Sequence, residues 1–200
     1  ENHVVLMAGG LGSRLASLTS NCPKPMLKVG NHPILQTIIE TFKSFGFYKF
    51  VISVNYLSEV IESYFKDGKE FGVEITYIRE KTKLGTAGAL SLYNESNGLP
   101  FIVMNCDLLT RINFSELLEF HSKNKHMATM CLRQIENQVP YGIVTVEDHK
   151  IVKIEEKPVY TYFVNAGIYV VNPEMLKYVP QDKNFDMPSF FESLISHNET

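Results

Sequence analysis

The sequence is poor in the residues that mark several protein classes. Its 200 residues include no tryptophan and three cysteines, Cys22, Cys106 and Cys131, none of them in a Cys-x-x-Cys pair. This odd number and wide spacing argue against a disulfide framework or a zinc knuckle and favour a reducing, cytoplasmic compartment. No run approaches the roughly 18 consecutive apolar residues that would span a bilayer. No signal-peptide pattern precedes the first apolar run.

An excess of charge of one sign is also missing. Lys and Arg number 19 and Asp and Glu number 22, so the formal net charge is −3. This near balance argues against a nucleic-acid coat or a polybasic membrane binder, so we expect neither nucleic acid nor a membrane as a partner. Hydrophobic residues make up 44% and charged residues 20% of the chain, which is typical of a globular protein.

Strand-like apolar runs alternate with helical patterns over residues 1–125. The runs are 4–8, 50–54, 73–78 and 101–104, and the helical patterns between and after them are 33–46, 57–65, 86–93 and 114–121. Four strand-then-helix units are typical of a parallel sheet with helices on both faces. We therefore predict a Rossmann-like, three-layer α/β fold.

The pattern changes after residue 126, where strands follow one another with few helices between them. They are predicted at 128–132, 142–146, 151–154 and 163–171. Because no linker separates the two parts, we predict a single domain over 1–200 with halves at 1–125 and 126–200. The chain begins at Glu1 and enters a strand three residues later, so we expect it to be part of a longer protein.

A glycine cluster, Gly9-Gly10-Leu11-Gly12-Ser13-Arg14, follows the first strand. In open parallel sheets, ligands bind beyond the carboxyl ends of the strands, where the strand order reverses. The cluster lacks the Lys-Ser or Lys-Thr of a Walker A loop, and Leu15 stands where a dinucleotide fingerprint needs its third glycine. We interpret it as a turn whose amides approach phosphate, with Arg14 adding donors. A tight turn with an exposed arginine is the alternative.

Two further charged residues fit a phosphate site. Lys24 lies between Pro23 and Pro25, which fix the backbone on either side of it, although a lone lysine is otherwise a solvated surface residue. Asp107 follows the fourth strand, where a carboxylate could serve as a helix cap or turn residue. Beside a phosphate loop, a Mg²⁺ ligand is the better interpretation, because Mg²⁺ takes one or two protein carboxylates plus substrate phosphates.

These residues belong to an ordered set of motifs that runs through nearly the whole chain. The motifs are Leu6-Met7-Ala8-Gly9-Gly10-Leu11-Gly12-Ser13-Arg14-Leu15, Pro23-Lys24-Pro25-Met26-Leu27, Leu84-Gly85-Thr86-Ala87-Gly88-Ala89-Leu90, Asn105-Cys106-Asp107, Glu156-Lys157-Pro158 and Asn165-Ala166-Gly167-Ile168-Tyr169. The set resembles the sugar-1-phosphate nucleotidyltransferases, and within them the mannose-1-phosphate guanylyltransferase-like branch.

The resemblance implies roles for the matching positions. The nucleotide would be bound by Leu6, Ala8, Gly9, Gly10, Gly12, Ser13, Glu80 and Gly85. The catalytic residues would be Arg14, Lys24, Asp107 and Lys157, with Asp107 holding Mg²⁺. The sugar would contact Gly142, Glu156 and Asn165, and its phosphate would contact Lys157. Without the other motifs, Glu156-Lys157 would be interpreted as a solvated charge pair at a strand end.

The implied reaction joins a sugar 1-phosphate to a nucleoside triphosphate and releases pyrophosphate, for glycan biosynthesis. GTP is favoured because the two oxygens of Glu80 would match the adjacent N1–H and N2 amino donors of guanine. The alternative is that Glu80 is merely an exposed residue at a strand end.

Two departures from the family pattern qualify the resemblance. Such enzymes usually have glycine where Cys106 stands. They also carry a second metal-binding aspartate in a Trp-hydrophobic-Asp-hydrophobic-Gly motif farther along, whereas this chain has no tryptophan and ends at Thr200. We therefore expect either that the C-terminus is missing from this sequence or that the metal site is incomplete. A catalytically incomplete, nucleotide-sugar-binding regulatory subunit is therefore an alternative. A nicotinamide-dependent oxidoreductase is another, although the absent third glycine and the pairing of Arg14 with Lys24 speak against it. A homo-oligomer and a fused upstream regulatory domain are also compatible with the resemblance.

Overall fold

A computed structural model of the chain describes residues 1–10, 19, 22–94 and 97–199. The chain forms two compact units. The first comprises Glu1–Thr129 and Gly167–Thr200, and the second comprises Met130–Ala166. Residues 167–200, which the sequence assigned to the strand-rich half, thus return to the first unit.

The described elements alternate between strands and helices as far as residue 123. In chain order the strands are β1 (Val4–Met7), β2 (Lys28–Val29), β3 (His32–Pro33), β4 (Lys49–Val54), β5 (Glu74–Arg79), β6 (Phe101–Asn105), β7 (Ala128–Gln138), β8 (Ile143–Glu147), β9 (Lys150–Glu155) and β10 (Val159–Val171). The α-helices are α1 (Ile34–Ser44), α2 (Ser58–Phe65), α3 (Gly85–Gly88), α4 (Phe114–Lys123) and α5 (Met187–Ser196). Short 3₁₀ turns cover Lys24–Met26, Lys69–Phe71, Ala89–Leu92 and Pro173–Tyr178.

The main sheet has six strands in the order β5-β4-β1-β6-β10-β7. β1 pairs in parallel with both β4 and β6, and β4 pairs in parallel with β5. β10 is antiparallel to β6, with Ile168 opposite Met104. The predicted α/β fold with a mainly parallel sheet is confirmed. Its strands β1, β4 and β6 are continuous apolar runs because they are buried, as parallel strands usually are.

Helices α3 and α5 depart from the prediction. The helix predicted at 86–93 is a four-residue helix, α3, that continues as the 3₁₀ turn Ala89–Leu92. Helix α5 was not predicted. It begins with the N-cap Asp186, whose side chain accepts a hydrogen bond from the amide of Ser189, and with Pro188 in its first turn.

Aromatic packing joins the helices to the sheet in the first unit. The ring of Phe42 in α1 stacks on Phe114 of α4, with 3.7 Å between centroids, and meets Phe50 of β4 edge-on at 6.1 Å. All three side chains are at most 1% exposed. Burying such rings is among the largest stabilising contributions that single side chains make.

The second unit contains the antiparallel hairpin of β8 and β9. Val144 lies opposite Ile154, and Val146 lies opposite Ile151 across an irregularity in the register. Beyond the hairpin, the amide of Val139 donates to the carbonyl of Pro158 at 3.0 Å. Every residue of this unit is exposed or half-buried.

Within the described part of the chain, no helix has the length and apolar character needed to cross a membrane.

His121 of α4 has a buried imidazole ring between Thr129 and Asn172. Its Nε2 lies 3.0 Å from Oδ1 of Asn172, which can only accept, so Nε2 carries the hydrogen. Nδ1 then accepts from the hydroxyl of Thr129 at 2.8 Å. Burial lowers the pKa of His121 below its ordinary value, and this effect outweighs the hydrogen bond to Asn172.

We expect the free energy of unfolding to fall as the pH decreases below about 6.5, because the unfolded chain then binds a proton that the folded chain excludes. One such group contributes a slope of at most about 1.4 kcal/mol per pH unit. Urea denaturation of the wild type and His121→Gln on both sides of this pH measures the effect. A loss of stability of the same size in both proteins would contradict the prediction.

Candidate functional site

A cavity of about 350 Å³ opens at the carboxyl edge of the central sheet. The chain leaves β1, adds β4 and β5 on one side of it, and then crosses to add β6 on the other side. The cavity therefore lies where the strand order reverses, which is the usual ligand site in an open parallel sheet. Its volume falls within the range of small-molecule sites.

The backbone after β1 forms the middle of the cavity wall, through Ala8, Gly9 and Gly10. The amide of Ala8 donates to the carbonyl of Ser53 at 2.9 Å, which ties this segment to β4. A Cβ atom added to Gly9 would overlap Oε1 of Glu80, so a larger residue here would displace that carboxylate. A Cβ atom added to Gly10 would meet no described residue within 4 Å.

Glu80 extends from the end of β5 and is held by three other segments. Its Oε1 accepts from the hydroxyl of Ser53 at 2.7 Å, and its Oε2 accepts from the amide of Leu84 at 3.1 Å. Its backbone carbonyl accepts from the side-chain amide of Asn55 at 3.3 Å. Glu80 is thus fixed within the cavity wall rather than freely solvated at a strand end.

The segment Leu84–Gly88 is docked against residues 183–187, about 100 positions later. The carbonyl of Phe185 accepts from the amides of Ala87 and Gly88 at 3.0 and 2.9 Å, and its amide donates to the carbonyl of Leu84 at 2.8 Å. The amide of Met187 donates to the hydroxyl of Thr86 at 3.0 Å. Gly85 has a φ of +82°, and an added Cβ atom would lie 2.5 Å from the carbonyl oxygen of Phe185.

Lys24 and Asp107 form an ion pair in the same cavity. The Lys24 ammonium lies 2.5 Å from Oδ2 of Asp107, and the two side chains are 33% and 40% exposed. Lys24 begins a 3₁₀ turn whose amides at Met26 and Leu27 bond to the carbonyls of Pro23 and Lys24. The flanking prolines therefore present the ammonium from a fixed backbone, as the sequence indicated.

Cys106, the departure beside Asp107, fits this position without a special backbone. It is not among the residues with positive φ, its amide donates to the carbonyl of Met7 at 3.3 Å, and its side chain is 1% exposed. Burial, aided by the nearby charge of Asp107, raises the pKa of the Cys106 thiol well above its ordinary value. The thiol therefore stays protonated at neutral pH and is no nucleophile.

Asn105 contributes an unusual polar atom to the cavity wall. Among the described residues, its Oδ1 is the buried side-chain atom that lacks a hydrogen-bond partner. An unpaired buried acceptor costs about 1–3 kcal/mol, and such atoms call for an explanation such as a bound water, ion or ligand.

The cavity thus brings together seven of the residues singled out from the sequence, namely Ala8, Gly9, Gly10, Lys24, Glu80, Gly85 and Asp107. Leu6 is fully buried within β1 and does not line the cavity. Gly12, Ser13 and Arg14 lie outside the described residues.

The predicted sugar-site residues Gly142, Glu156, Lys157 and Asn165 all lie in the second unit and are exposed. A Cβ atom added to Gly142 would lie 3.0 Å from Oε2 of Glu156, so these two residues are neighbours. Lys157 has a φ of +47°, a conformation that a non-glycine residue seldom adopts outside functional or turn positions.

Sequence reasoning missed several residues of the site. Lys83 and Thr86 line the cavity, and Ser53 and Phe185 hold its wall. Signals existed for Thr86, which lies within the motif Leu84–Leu90, and for Ser53, which is a hydroxyl within the apolar run of a buried parallel strand.

The donor chemistry of the cavity is compatible with Mg²⁺. No cluster of three or more His, Cys, Asp or Glu side chains that could hold a metal occurs among the described residues. The single carboxylate of Asp107 can serve as the protein ligand of such a site, because Mg²⁺ often takes one or two carboxylates and completes its shell with phosphates and water. Asp107 also already attracts one cation, the ammonium of Lys24.

Comparison with known proteins identifies the family. The sequence matches the profile of the Nucleotidyl transferase family over residues 3–197, nearly the entire chain. The chain belongs to this family. A curated relative of this chain is the mannose-1-phosphate guanyltransferase of Yarrowia lipolytica, 38% identical over 180 residues, which cover 86% of this chain and 50% of the relative.

Two further proteins show how far the likeness extends. The UTP–glucose-1-phosphate uridylyltransferase of Synechocystis sp. is 30% identical over 202 residues, covering 92% of this chain and 52% of that protein. HddC from Yersinia pseudotuberculosis, solved in complex with GMP-PN, superposes with a TM-score of 0.70 at 26% identity, covering 93% of this chain and 83% of that chain. The chain spans about half the length of the curated relatives it matches.

The contact of Gly85 with Phe185 predicts an unequal response of two glycines to the same substitution. Gly98 has a similar φ of +78°, but an added Cβ atom there meets nothing within 4 Å. We expect Gly98→Ala to lower the free energy of unfolding by about 1 kcal/mol, the cost of the left-handed conformation alone. Gly85→Ala adds a collision with backbone, so we expect a loss of about 3 kcal/mol or more. Urea denaturation of both variants tests this, and equal losses would contradict the docking of residues 84–88 on Phe185.

Proposed function

We propose that this chain carries the nucleotide-binding and sugar-binding parts of an enzyme that joins a sugar 1-phosphate to a nucleoside triphosphate, with GTP favoured, and releases pyrophosphate. The observation that carries the proposal is the arrangement of the cavity across the sheet. Glu80 and Gly85 follow β5, whereas Asp107 follows β6, and Gly9 and Gly10 lie between them.

The strand order separates two kinds of recognition in this cavity. β5 and β6 are three strand spacings apart, or roughly 14 Å at their carboxyl ends. One end offers a carboxylate for a base, and the other offers an ammonium and a carboxylate for phosphates and their metal. A nucleoside triphosphate has the same polarity, with a hydrogen-bonding base at one end and a polyanion at the other.

The relatives support the same reaction class. The guanyltransferase of Yarrowia and the uridylyltransferase of Synechocystis both act, by name, on sugar 1-phosphates, and they differ in the base. The greater identity to the guanyltransferase and the carboxylate at Glu80 favour GTP for this chain. These features also support the enzyme over the alternative of a catalytically incomplete binding subunit.

The chemistry needs no side-chain nucleophile. A sugar phosphate has a second pKa of about 6 and is largely dianionic at neutral pH, so its oxygen can attack the α-phosphorus of the triphosphate directly. The bond from the α-phosphorus to the bridging oxygen then breaks, and pyrophosphate leaves with the electron pair. The protein contributes positioning and charge neutralisation to this in-line transfer.

Different residues of the chain would bind the phosphates, the metal and the sugar. Lys24, with Arg14, would neutralise the charge that develops on the departing pyrophosphate, and the amides around Gly9, Gly10, Gly12 and Ser13 would bind phosphate oxygens. Asp107 would hold Mg²⁺, which when bound screens the phosphate charges. In the second unit, Lys157 would align the sugar phosphate, and Gly142, Glu156 and Asn165 would contact the sugar.

Replacement of Lys24 tests the phosphate assignment. We expect Lys24→Ala to lower turnover by about 100-fold, or about 3 kcal/mol, because a donor to the leaving group is lost. Lys28→Ala removes a neighbouring lysine that does not line the cavity and should leave turnover unchanged. Pyrophosphate release from a panel of triphosphates and sugar 1-phosphates is the measurement. Wild-type turnover in Lys24→Ala would remove Lys24 from the site.

Replacement of Asp107 tests the metal assignment. Asp107→Asn should raise the Mg²⁺ concentration needed for half-maximal activity, which the same measurement of pyrophosphate release gives.

Replacement of Glu80 tests the choice of base. Uracil and thymine offer one donor flanked by acceptors, so a carboxylate facing them would leave a charged oxygen unpaired at a cost of about 1–3 kcal/mol. We therefore expect kcat/KM for GTP to exceed that for UTP or dTTP by at least roughly tenfold. Glu80→Gln should erode this preference. A wild-type preference for UTP, or an unchanged ranking in the variant, would show that Glu80 does not read the base.

A further inference from the structure

We propose that Ser53 is a positioning residue for base selection, because its hydroxyl holds the carboxylate of Glu80 in the orientation that reads the base. This inference rests on the proposed function, in which Glu80 faces the base. It adds a residue that lies beneath the cavity wall.

Ser53 lies next to the last residue of β4 and is 0% exposed. Its Oγ donates to Oε1 of Glu80 at 2.7 Å, and its backbone carbonyl accepts from the amide of Ala8 at 2.9 Å. The same residue therefore contacts both the segment after β1 and the carboxylate after β5. Apolar residues fill the rest of β4 after Lys49, so a hydroxyl at this buried position needs a polar partner, and Glu80 supplies it.

The hydrogen bonds to Glu80 leave the acceptor pattern that guanine needs. An ionised carboxylate has about four acceptor positions, two on each oxygen. The hydroxyl of Ser53 uses one on Oε1, and the amide of Leu84 uses one on Oε2. One acceptor position remains on each oxygen. Two adjacent N–H donors, as on guanine, match this pair, whereas a single donor flanked by carbonyls does not.

The carboxylate of Glu80 is confined on three sides by Ser53, Leu84 and Gly9. Loss of the Ser53 hydroxyl leaves the amide of Leu84 as its remaining anchor among the described contacts, so the plane of the carboxylate can rotate. The backbone of Glu80 stays tied to Asn55 and to β4, because those bonds do not involve the hydroxyl. We therefore expect Ser53→Ala to alter base selectivity without weakening the binding of the phosphates.

Equilibrium binding provides the test, since it needs no turnover. Dissociation constants of GTP and UTP are measured by isothermal titration calorimetry for the wild type, Ser53→Ala, Glu80→Gln and the double variant. We expect Ser53→Ala to lower the ratio of GTP to UTP affinity by roughly tenfold or more, the effect of one hydrogen bond to a charged group. In the Glu80→Gln background the same substitution should change this ratio by less than about twofold, because the two residues act as one unit.

Two further variants separate positioning from general structural effects. The hydroxyl of Ser91 donates to the carbonyl of Gly88 at 2.7 Å, so Ser91→Ala removes a hydrogen bond behind the same loop without touching Glu80. It should leave the ratio unchanged. Ser53→Cys retains a small, weak donor at the buried position and should give an intermediate ratio. This variant also keeps the inference testable if Ser53→Ala does not fold. Thermal denaturation shows whether each variant is folded.

The outcomes distinguish this inference from the proposed function. If the wild type prefers GTP and Glu80→Gln erodes the preference, but Ser53→Ala weakens GTP and UTP equally, the role of Ser53 is merely structural and this inference alone is overturned. An effect of Ser53→Ala that persists in the Glu80→Gln background overturns it as well. If the wild type binds UTP as tightly as GTP, base reading by Glu80 fails, and the role of Ser53 fails with it.

Discussion

Parallel pairing of β1 with both β4 and β6 is the constraint on which the site depends. Parallel strands point their carboxyl ends to the same edge, so the residues that follow β1, β5 and β6 must come close together there. The reversal of strand order beside β1 then opens a crevice between the connecting segments. Gly9, Glu80 and Asp107 reach that crevice from three separate parts of the chain because of this single arrangement.

The electrostatics of the cavity suit reversible binding. Lys24 and Asp107 neutralise each other, yet a third or more of each side chain is exposed to solvent. Exposed ion pairs contribute at most about 1 kcal/mol, so exchanging this pair for other charged partners costs little. Glu80, by contrast, is held by two hydrogen bonds within the protein. One end of the cavity is therefore prepared to exchange its partners, and the other is preorganised for a fixed pattern of donors.

Much of this protein could be predicted from local patterns. The apolar runs of β1, β4 and β6 and the spacing of α1 follow from burial on a sheet and on one helix face, which are local regularities of two and 3.6 residues. Gly9, Gly10, Lys24 and Asp107 were found because each directly follows a strand or is flanked by prolines. These signals lie within a few residues of the position they describe.

Other features depended on contacts between residues distant in sequence. Ser53 and Glu80 are 27 positions apart, and Thr86 and Met187 are 101 apart. Hydrophobic periodicity does not indicate which distant residues pair, so neither the hydrogen bonds that hold Glu80 nor the contact of Gly85 with Phe185 could be predicted. The sequence by itself therefore determined the α/β class and pointed to the glycines and charged residues that line the cavity. The tertiary structure alone decided how those residues are held, because hydrogen bonds across strands and between distant segments form only once the sheet has assembled.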